Sequence, residues 1–155
     1  METAHRYRVI AWWSSAKTGL AKSDSAPTAI HFTAPPEFGG MEGRWTPEDL
    51  LLCAVASCYT TTFRALADYS NMEYSDLAVE VDGTVRKADS GYDFQEIVIR
   101  PTLSISGQEE PSRALRLLQK AKTICLVSRS ISVEQKFEPQ LNVGESRVEF
   151  DHVCP

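Results

Sequence analysis

The order of periodicities along this 155-residue chain predicts an α+β fold in a single domain, residues 1–155. Three observations carry that expectation. Residues 50–63 form an uncharged run, LLLCAVASCYTTTF, directly after the helix-start signature Thr46-Pro47-Glu48-Asp49. Two stretches, one with Leu77, Val79, Val81 and Val85 and one with Ile97, Ile99, Leu103 and Ile105, alternate apolar with mostly polar residues around the turn signal Asp89-Ser90-Gly91. After Pro111, apolar residues recur at helical spacing.

Taken in order, Tyr7, Val9, Ala11 and Trp13 alternate with Arg8, Ile10 and Trp12, which predicts a strand with one apolar face. Residues 14–19 read as a turn, with short strands after it and at 29–32. The Pro35-Pro36 and Gly39-Gly40 pairs mark a loop. Thr46 is a good N-cap, and Pro47 suits the first helical position because its missing N–H costs nothing there. Glu48 and Asp49 favour the positive end of the helix dipole, and Asp49 stands at the capping-box position. The helix then has no polar face until Arg64, Asp68 and Asn71, so protein is expected all around it. The two alternating stretches predict an antiparallel hairpin. Ala114, Leu118, Ala121 and Cys125 share one stripe of the second helix, with Arg113, Arg116, Lys120 and Lys122 largely off it. Ile131, Val133 and Phe137 predict a strand, and Val148 with Phe150 another.

Bulk composition excludes several classes. The net charge is −5 with no basic block, which argues against a nucleic-acid partner. The longest uncharged run is shorter than the roughly 20 residues a bilayer span needs. Residues 1–8 lack the apolar core of a signal peptide, so the expected location is the cytoplasm, where thiols stay reduced. Cys53, Cys58, Cys125 and Cys154 are too few for a disulfide scaffold and lack zinc-site spacing, and His5, His31 and His152 are scattered. No metal or organic cofactor is implied. There is no GxSxG elbow and no GxGxxG or Walker loop.

Free cysteine packs as a small hydrophobe, and Cys53 is read that way. It lies five positions before Cys58, about 140° away around a helix. Cys154 reads as a tail thiol. Cys58 and Cys125 stand apart because of the residues around them. The segment TPEDLLLCAVASCYTTTF (46–63) resembles the first helix of the OsmC/Ohr family of thiol-dependent hydroperoxide reductases, which has a Pro-Glu start and ends in Ala-(Ser/Ala)-Cys. AKTICLVSRSI (121–131) resembles the family's second motif, Cys-Pro-Val-Ser, with Leu126 in place of its proline. The order of elements agrees along nearly the whole chain.

The resemblance implies an intertwined homodimer, with antiparallel sheets wrapped around two central helices and active sites at the subunit interface. It makes Cys58 the peroxidatic cysteine, Cys125 the resolving cysteine and Glu48 the glutamate that holds an activating arginine. It implies an organic hydroperoxide as substrate and a cellular dithiol, a lipoylated protein or small thiols, as reductant. In the family the arginine comes from the N-terminal strands or loops. Here the turn at 14–19 offers Lys17 and no arginine, and Arg44, four residues before Glu48, is the guanidinium candidate. Lysine lacks the planar fork that grips a carboxylate. The rival reading is a non-catalytic homodimer of the same fold that binds an apolar or thiol-reactive small molecule.

Overall fold

The computed structural model of the chain describes residues 3–144. Val148, Phe150, His152 and Cys154 lie outside the described residues. The chain divides into two compact units, and the boundary falls after Leu51.

The first unit holds a three-stranded antiparallel sheet, β1 (Val9–Trp13), β2 (Gly19–Ser23) and β3 (Ile30–Phe32), in that order. The expected turn at 14–19 is closed by the Ser14 N–H, which donates to the Thr18 carbonyl at 3.0 Å. Gly19 leaves room for the Phe32 ring, whose tip would lie 2.4 Å from a Cβ there, so a larger residue would displace that ring. Thr33, fully buried, ties the unit's loops together. Its hydroxyl donates to the Lys17 carbonyl at 2.7 Å and accepts from the Met41 N–H at 3.1 Å. The expected apolar face of β1 is not covered within this unit: all five of its residues are exposed, Trp13 at 58%.

The long helix α1 (Pro47–Tyr69) starts as its sequence requires. The Thr46 hydroxyl accepts from the Asp49 N–H at 3.2 Å, and Asp49 Oδ2 accepts from the Thr46 N–H at 2.9 Å. The shorter aspartate therefore closes the capping box as glutamate usually does. The helix ends at Tyr69 and the chain turns at Asn71, whose φ of 48° is the left-handed conformation that asparagine tolerates, and the Met72 N–H returns to the Ala67 carbonyl at 2.9 Å. By length and composition α1 is apolar enough to cross a membrane. Its buried stripe instead joins a protein core.

The second unit is a four-stranded sheet with helices against it. β4 (Asp76–Ala88) and β5 (Gly91–Ile105) form the expected hairpin. β6 (Glu134–Phe137) and β7 (Gln140–Val143) both pair with β5 in parallel, one after the other along its free edge. β6 covers residues 96–99 of β5 and β7 covers 102–105, so Pro101, which has no N–H, falls in the gap between them. β7 has no clear signature in the sequence, and the strand predicted from Ile131 starts only at Glu134. α2 (Pro111–Ile124) opens at Pro111 as predicted but stops one residue before Cys125. The short α3 (Leu126–Ser130) follows.

The core joins Val55, Tyr59, Phe63 and Ala67 of α1 to Ile97, Ile99, Leu103 and Ile105 of β5 and to Ala114, Leu118 and Ala121 of α2. Among the described residues, only this i, i+4 stripe of α1 is buried. Cys53, expected in the core, is exposed. One sheet and one amphipathic helix cover one side of a helix, and the α1 sequence is apolar on more sides than that.

Phe63 is fully buried and meets the Tyr74 ring edge-on at a centroid distance of 5.5 Å. Phe63→Ala should lower unfolding stability by about 3–5 kcal/mol, whereas Leu126→Ala, at a position 69% exposed, should change it by about 0.5 kcal/mol or less. Urea unfolding of both variants at one protein concentration checks the contrast.

Candidate active site

Tyr59 sets the site's geometry. Its hydroxyl donates to the Leu118 carbonyl of α2 at 2.9 Å, and its ring lies 5.9 Å from that of Phe137 on β6. This bond holds α1 on α2, and the next residue back along α1 is Cys58. At the other side of the site, α2 gives way to a turn at Cys125, where ψ is 115°. The turn points the first N–H groups of α3 toward α1. The Val127 N–H reaches Cys58 Sγ at 3.5 Å. Cys58 is half-buried, Cys125 is fully buried, and both are free thiols.

The two thiols lie close enough to perturb each other and are driven apart in acidity. Burial pushes the Cys58 thiol up. The Val127 N–H, the Cys125 thiol, the Thr62 hydroxyl and the Leu126 N–H outweigh it, leaving Cys58 more acidic than an ordinary thiol. All four are neutral groups that stabilise a thiolate by hydrogen bonding. Burial pushes the Cys125 thiol up as well, and there the neighbouring Cys58 adds to the rise while the Ser128 and Val127 N–H groups oppose it. The pair thus presents one thiol inclined to ionise beside one inclined to keep its proton. A low-pKa, partly accessible thiol next to a second thiol is the arrangement in which a sulfenic acid can be captured as a disulfide.

Behind Cys125 lies a polar cluster with no clear signal in the sequence. Lys122 Nζ donates to Ser128 Oγ at 2.9 Å and to Gln135 Oε1 at 2.8 Å. The Ser128 hydroxyl also donates to Gln135 Oε1, and Gln135 Nε2 returns to the Ser128 carbonyl at 2.8 Å. Lys122 was expected on the solvated side of α2. Burial pulls its ammonium pKa down, and the nearby Cys125 opposes that shift. The only hint in the chain is spacing, since Lys122 and Ser128 each lie three residues from Cys125.

The other expected residues belong to the first unit. Glu48 stands in the first turn of α1, half-buried, and its Oε2 is buried without a hydrogen-bond partner among the described residues. Arg44 and Lys17 are exposed. The ion pairs among the described residues are Arg64–Asp68, Arg113–Glu109, Lys136–Glu96 and those of Arg100 with Glu80, Asp82 and Glu138. The expected Arg44–Glu48 pair is not among them. No cluster of three or more His, Cys, Asp or Glu suited to a metal ion occurs among the described residues.

This fold and cysteine pair define a known class. The model of the family described as OsmC-like protein matches residues 40–140, and the chain belongs to that family. Among its relatives is the uncharacterised Bacillus subtilis protein YmaD, 27% identical over 145 residues, which span 90% of this chain and 97% of that one. An OsmC-like protein of unknown function from Vibrio cholerae has a similar solved structure, with a TM-score of 0.79, 18% identity, and coverage of 88% of this chain and 99% of that one. So has an organic hydroperoxide resistance protein of Legionella pneumophila, with a TM-score of 0.70, 18% identity, and coverage of 90% and 100%.

Leu126 gives the site a donor that proline, the residue of the family motif, cannot supply. The ψ of Cys125 suits a residue that precedes proline, and the first position of a helix accepts one. Leu126→Pro should therefore fold and lose one N–H facing Cys58. Because that donor lowers the thiol pKa, its loss should raise the midpoint of Cys58 alkylation by about 0.5–1 pH unit, or roughly 0.7–1.4 kcal/mol. Leu126→Ala should leave the midpoint in place. Iodoacetamide rates against pH, followed by peptide mass, measure both.

Proposed function

We propose that this protein is a thiol peroxidase that reduces organic hydroperoxides in the cytoplasm. The observation that carries the reading is the thiol pair: half-buried Cys58, with the Val127 N–H 3.5 Å from its sulfur and its pKa lowered, beside the buried Cys125 thiol, whose pKa is raised. The Cys58 thiolate attacks the terminal oxygen of the O–O bond, releases the alcohol and becomes a sulfenic acid. Cys125 displaces that oxygen as water and closes a disulfide. A cellular dithiol, a lipoylated protein or small thiols, then restores both cysteines.

The proposal treats residues 1–155 as one functional domain of a homodimer. Two features support a second copy. β1 exposes Val9 at 67% and Ile10 at 52%, and α1 buries only one stripe of a helix that is apolar on several sides. Burying one such side chain contributes on the order of 1.5–3 kcal/mol, so a partner surface is favoured. The unpartnered Glu48 Oε2 supports a further role, that of holding a guanidinium or ammonium in the assembled site. Arg44 is the first choice and Lys17 the second, since only arginine offers the planar fork.

A single-turnover reaction with one equivalent of alkyl hydroperoxide, read by intact mass and peptide mapping, tests the chemistry. The wild type should lose two hydrogens and link Cys58 to Cys125. Cys58→Ser should lower turnover at least 1,000-fold, about 4 kcal/mol or more. Cys125→Ser should accumulate a Cys58 sulfenic acid and then sulfinic acid. Absence of peroxide consumption by the reduced wild type would leave a binding protein of the same fold.

Sedimentation tests the assembly: a dimer is expected at micromolar concentration, and a compact, stable monomer would remove the support for a shared site. In the dimer, Arg44→Met should raise the Cys58 alkylation midpoint by more than about one pH unit, while Lys17→Met leaves it unchanged. The opposite pattern would assign the cation to Lys17.

A further inference from the structure

Disulfide closure needs a cysteine that is difficult to ionise. Cys125 is fully buried, and burial pushes its thiol up. As a thiol it is a poor nucleophile; as a thiolate it is a buried charge that needs a counter-charge. Lys122 lies three residues before Cys125, its ammonium is held at 2.9 Å by the Oγ of Ser128, three residues after that cysteine, and Cys125 acts on that ammonium electrostatically. Among the described residues Lys122 forms no ion pair with a carboxylate. It is held by neutral oxygens only, Ser128 Oγ at 2.9 Å and Gln135 Oε1 at 2.8 Å. A partly buried ammonium without a carboxylate partner keeps its charge available for an anion that forms transiently.

The cluster is also built to hold position. Gln135 accepts from both Lys122 and Ser128 through its carbonyl and donates to the Ser128 backbone through its amide, so each of its polar groups is committed. Ser128 is only 3% exposed, and its N–H faces the Cys125 sulfur. Movement of Lys122 or Gln135 would shift the short helix that aims N–H groups at both sulfurs. We propose that Lys122, fixed by Ser128 and Gln135, is the positioning residue of the disulfide-closing step and supplies the positive charge against which Cys125 ionises.

The inference rests on the reading of Cys125 as the resolving cysteine, and the step balances without a further reagent. The Cys125 thiol loses its proton and its sulfur lone pair attacks the Cys58 sulfenic sulfur. The S–O bond breaks, and the departing hydroxide leaves with that proton as water. Cys125 is oxidised and the sulfenic sulfur is reduced by the same amount. Of the groups that act on Cys125, Cys58 comes from α1 and the Ser128 and Val127 N–H groups from α3, and Cys125 in turn acts on Tyr59 of α1 and Lys122 of α2. The Tyr59 phenol is pushed up by burial and stays neutral with its hydrogen on the Leu118 carbonyl. Arg129 on α3 and Glu134 and Lys136 on β6 are exposed, and Lys136 pairs with Glu96.

The test separates Cys125 chemistry from peroxide chemistry. In a Cys53→Ser, Cys154→Ser background, the reduced protein is mixed with 5,5′-dithiobis(2-nitrobenzoate). A first thionitrobenzoate release forms the mixed disulfide on Cys58, and a second reports attack by Cys125. Cys125→Ser should give the first release alone. Lys122→Met should slow the second release about tenfold at neutral pH and raise its pH midpoint by about one unit, while changing the first release less than about twofold. Lys122→Arg should retain most of the rate. Gln135→Glu, which pairs the ammonium with a carboxylate in place, should raise the midpoint as Lys122→Met does; it carries the test if the latter fails to fold. Ser128→Ala should slow closure without moving the midpoint. An unchanged second release in Lys122→Met and Gln135→Glu, a parallel loss of the first release, or a wild type that makes no second release overturns the proposal. A wild type that closes the disulfide here but consumes no hydroperoxide overturns the peroxidase reading alone.

Discussion

The contact between the buried stripe of α1 and the β5–α2 layer is the constraint on which the described site depends. Val55, Tyr59, Phe63 and Ala67 recur every fourth residue, so they leave the helix along one line and bury together. Tyr59 alone in that line carries a polar group, and the Leu118 carbonyl satisfies it. A buried hydroxyl without its partner costs on the order of 1–3 kcal/mol, so the bond sets the register of α1 on α2 as well as adding to stability. Register matters because Cys58 is adjacent to Tyr59 and Cys125 lies one α2 turn beyond Ala121, in the same core.

The cysteine pair shows how neutral groups divide two chemically identical side chains. Both thiols are desolvated, and desolvation alone would make both inert. The break between α2 and α3 changes this by freeing N–H groups that a continuous helix would have committed to carbonyls. At Cys58 those N–H groups act with the Cys125 thiol and the Thr62 hydroxyl to outweigh burial, while at Cys125 burial and the neighbouring Cys58 outweigh them. Among the described residues, the difference in acidity therefore comes from neutral groups, backbone N–H and side chain together.

The polar cluster of Lys122, Ser128 and Gln135 adds an element of a different kind. It places an ammonium near the thiol that is harder to ionise and fastens α3 to β6 through side-chain bonds. Half-buried polar clusters are stable only when every member is satisfied, and each hydrogen-bonding group of the Gln135 amide has a partner here. The Glu48 carboxylate presents the opposite case, a buried oxygen left unpaired among the described residues.

Much of the fold was legible in the sequence because its signals are local. The Thr46–Asp49 capping box, Pro111 at a helix start, the hairpin around Gly91 and the α2 stripe all depend on spacings of a few residues. Two short motifs around Cys58 and Cys125 made the family legible, and the chain belongs to it. What the sequence could not determine is non-local. The parallel pairing of β6 and β7 around Pro101 depends on a strand some 40 residues away, and the exposure of Cys53 and β1 depends on which surfaces one chain can cover. The halt of α2 at Cys125 and the capture of Lys122 by Gln135 were decided by tertiary structure alone. A helical repeat says which residues share a face, but only packing says where the helix must break and which charge is drawn beneath the surface.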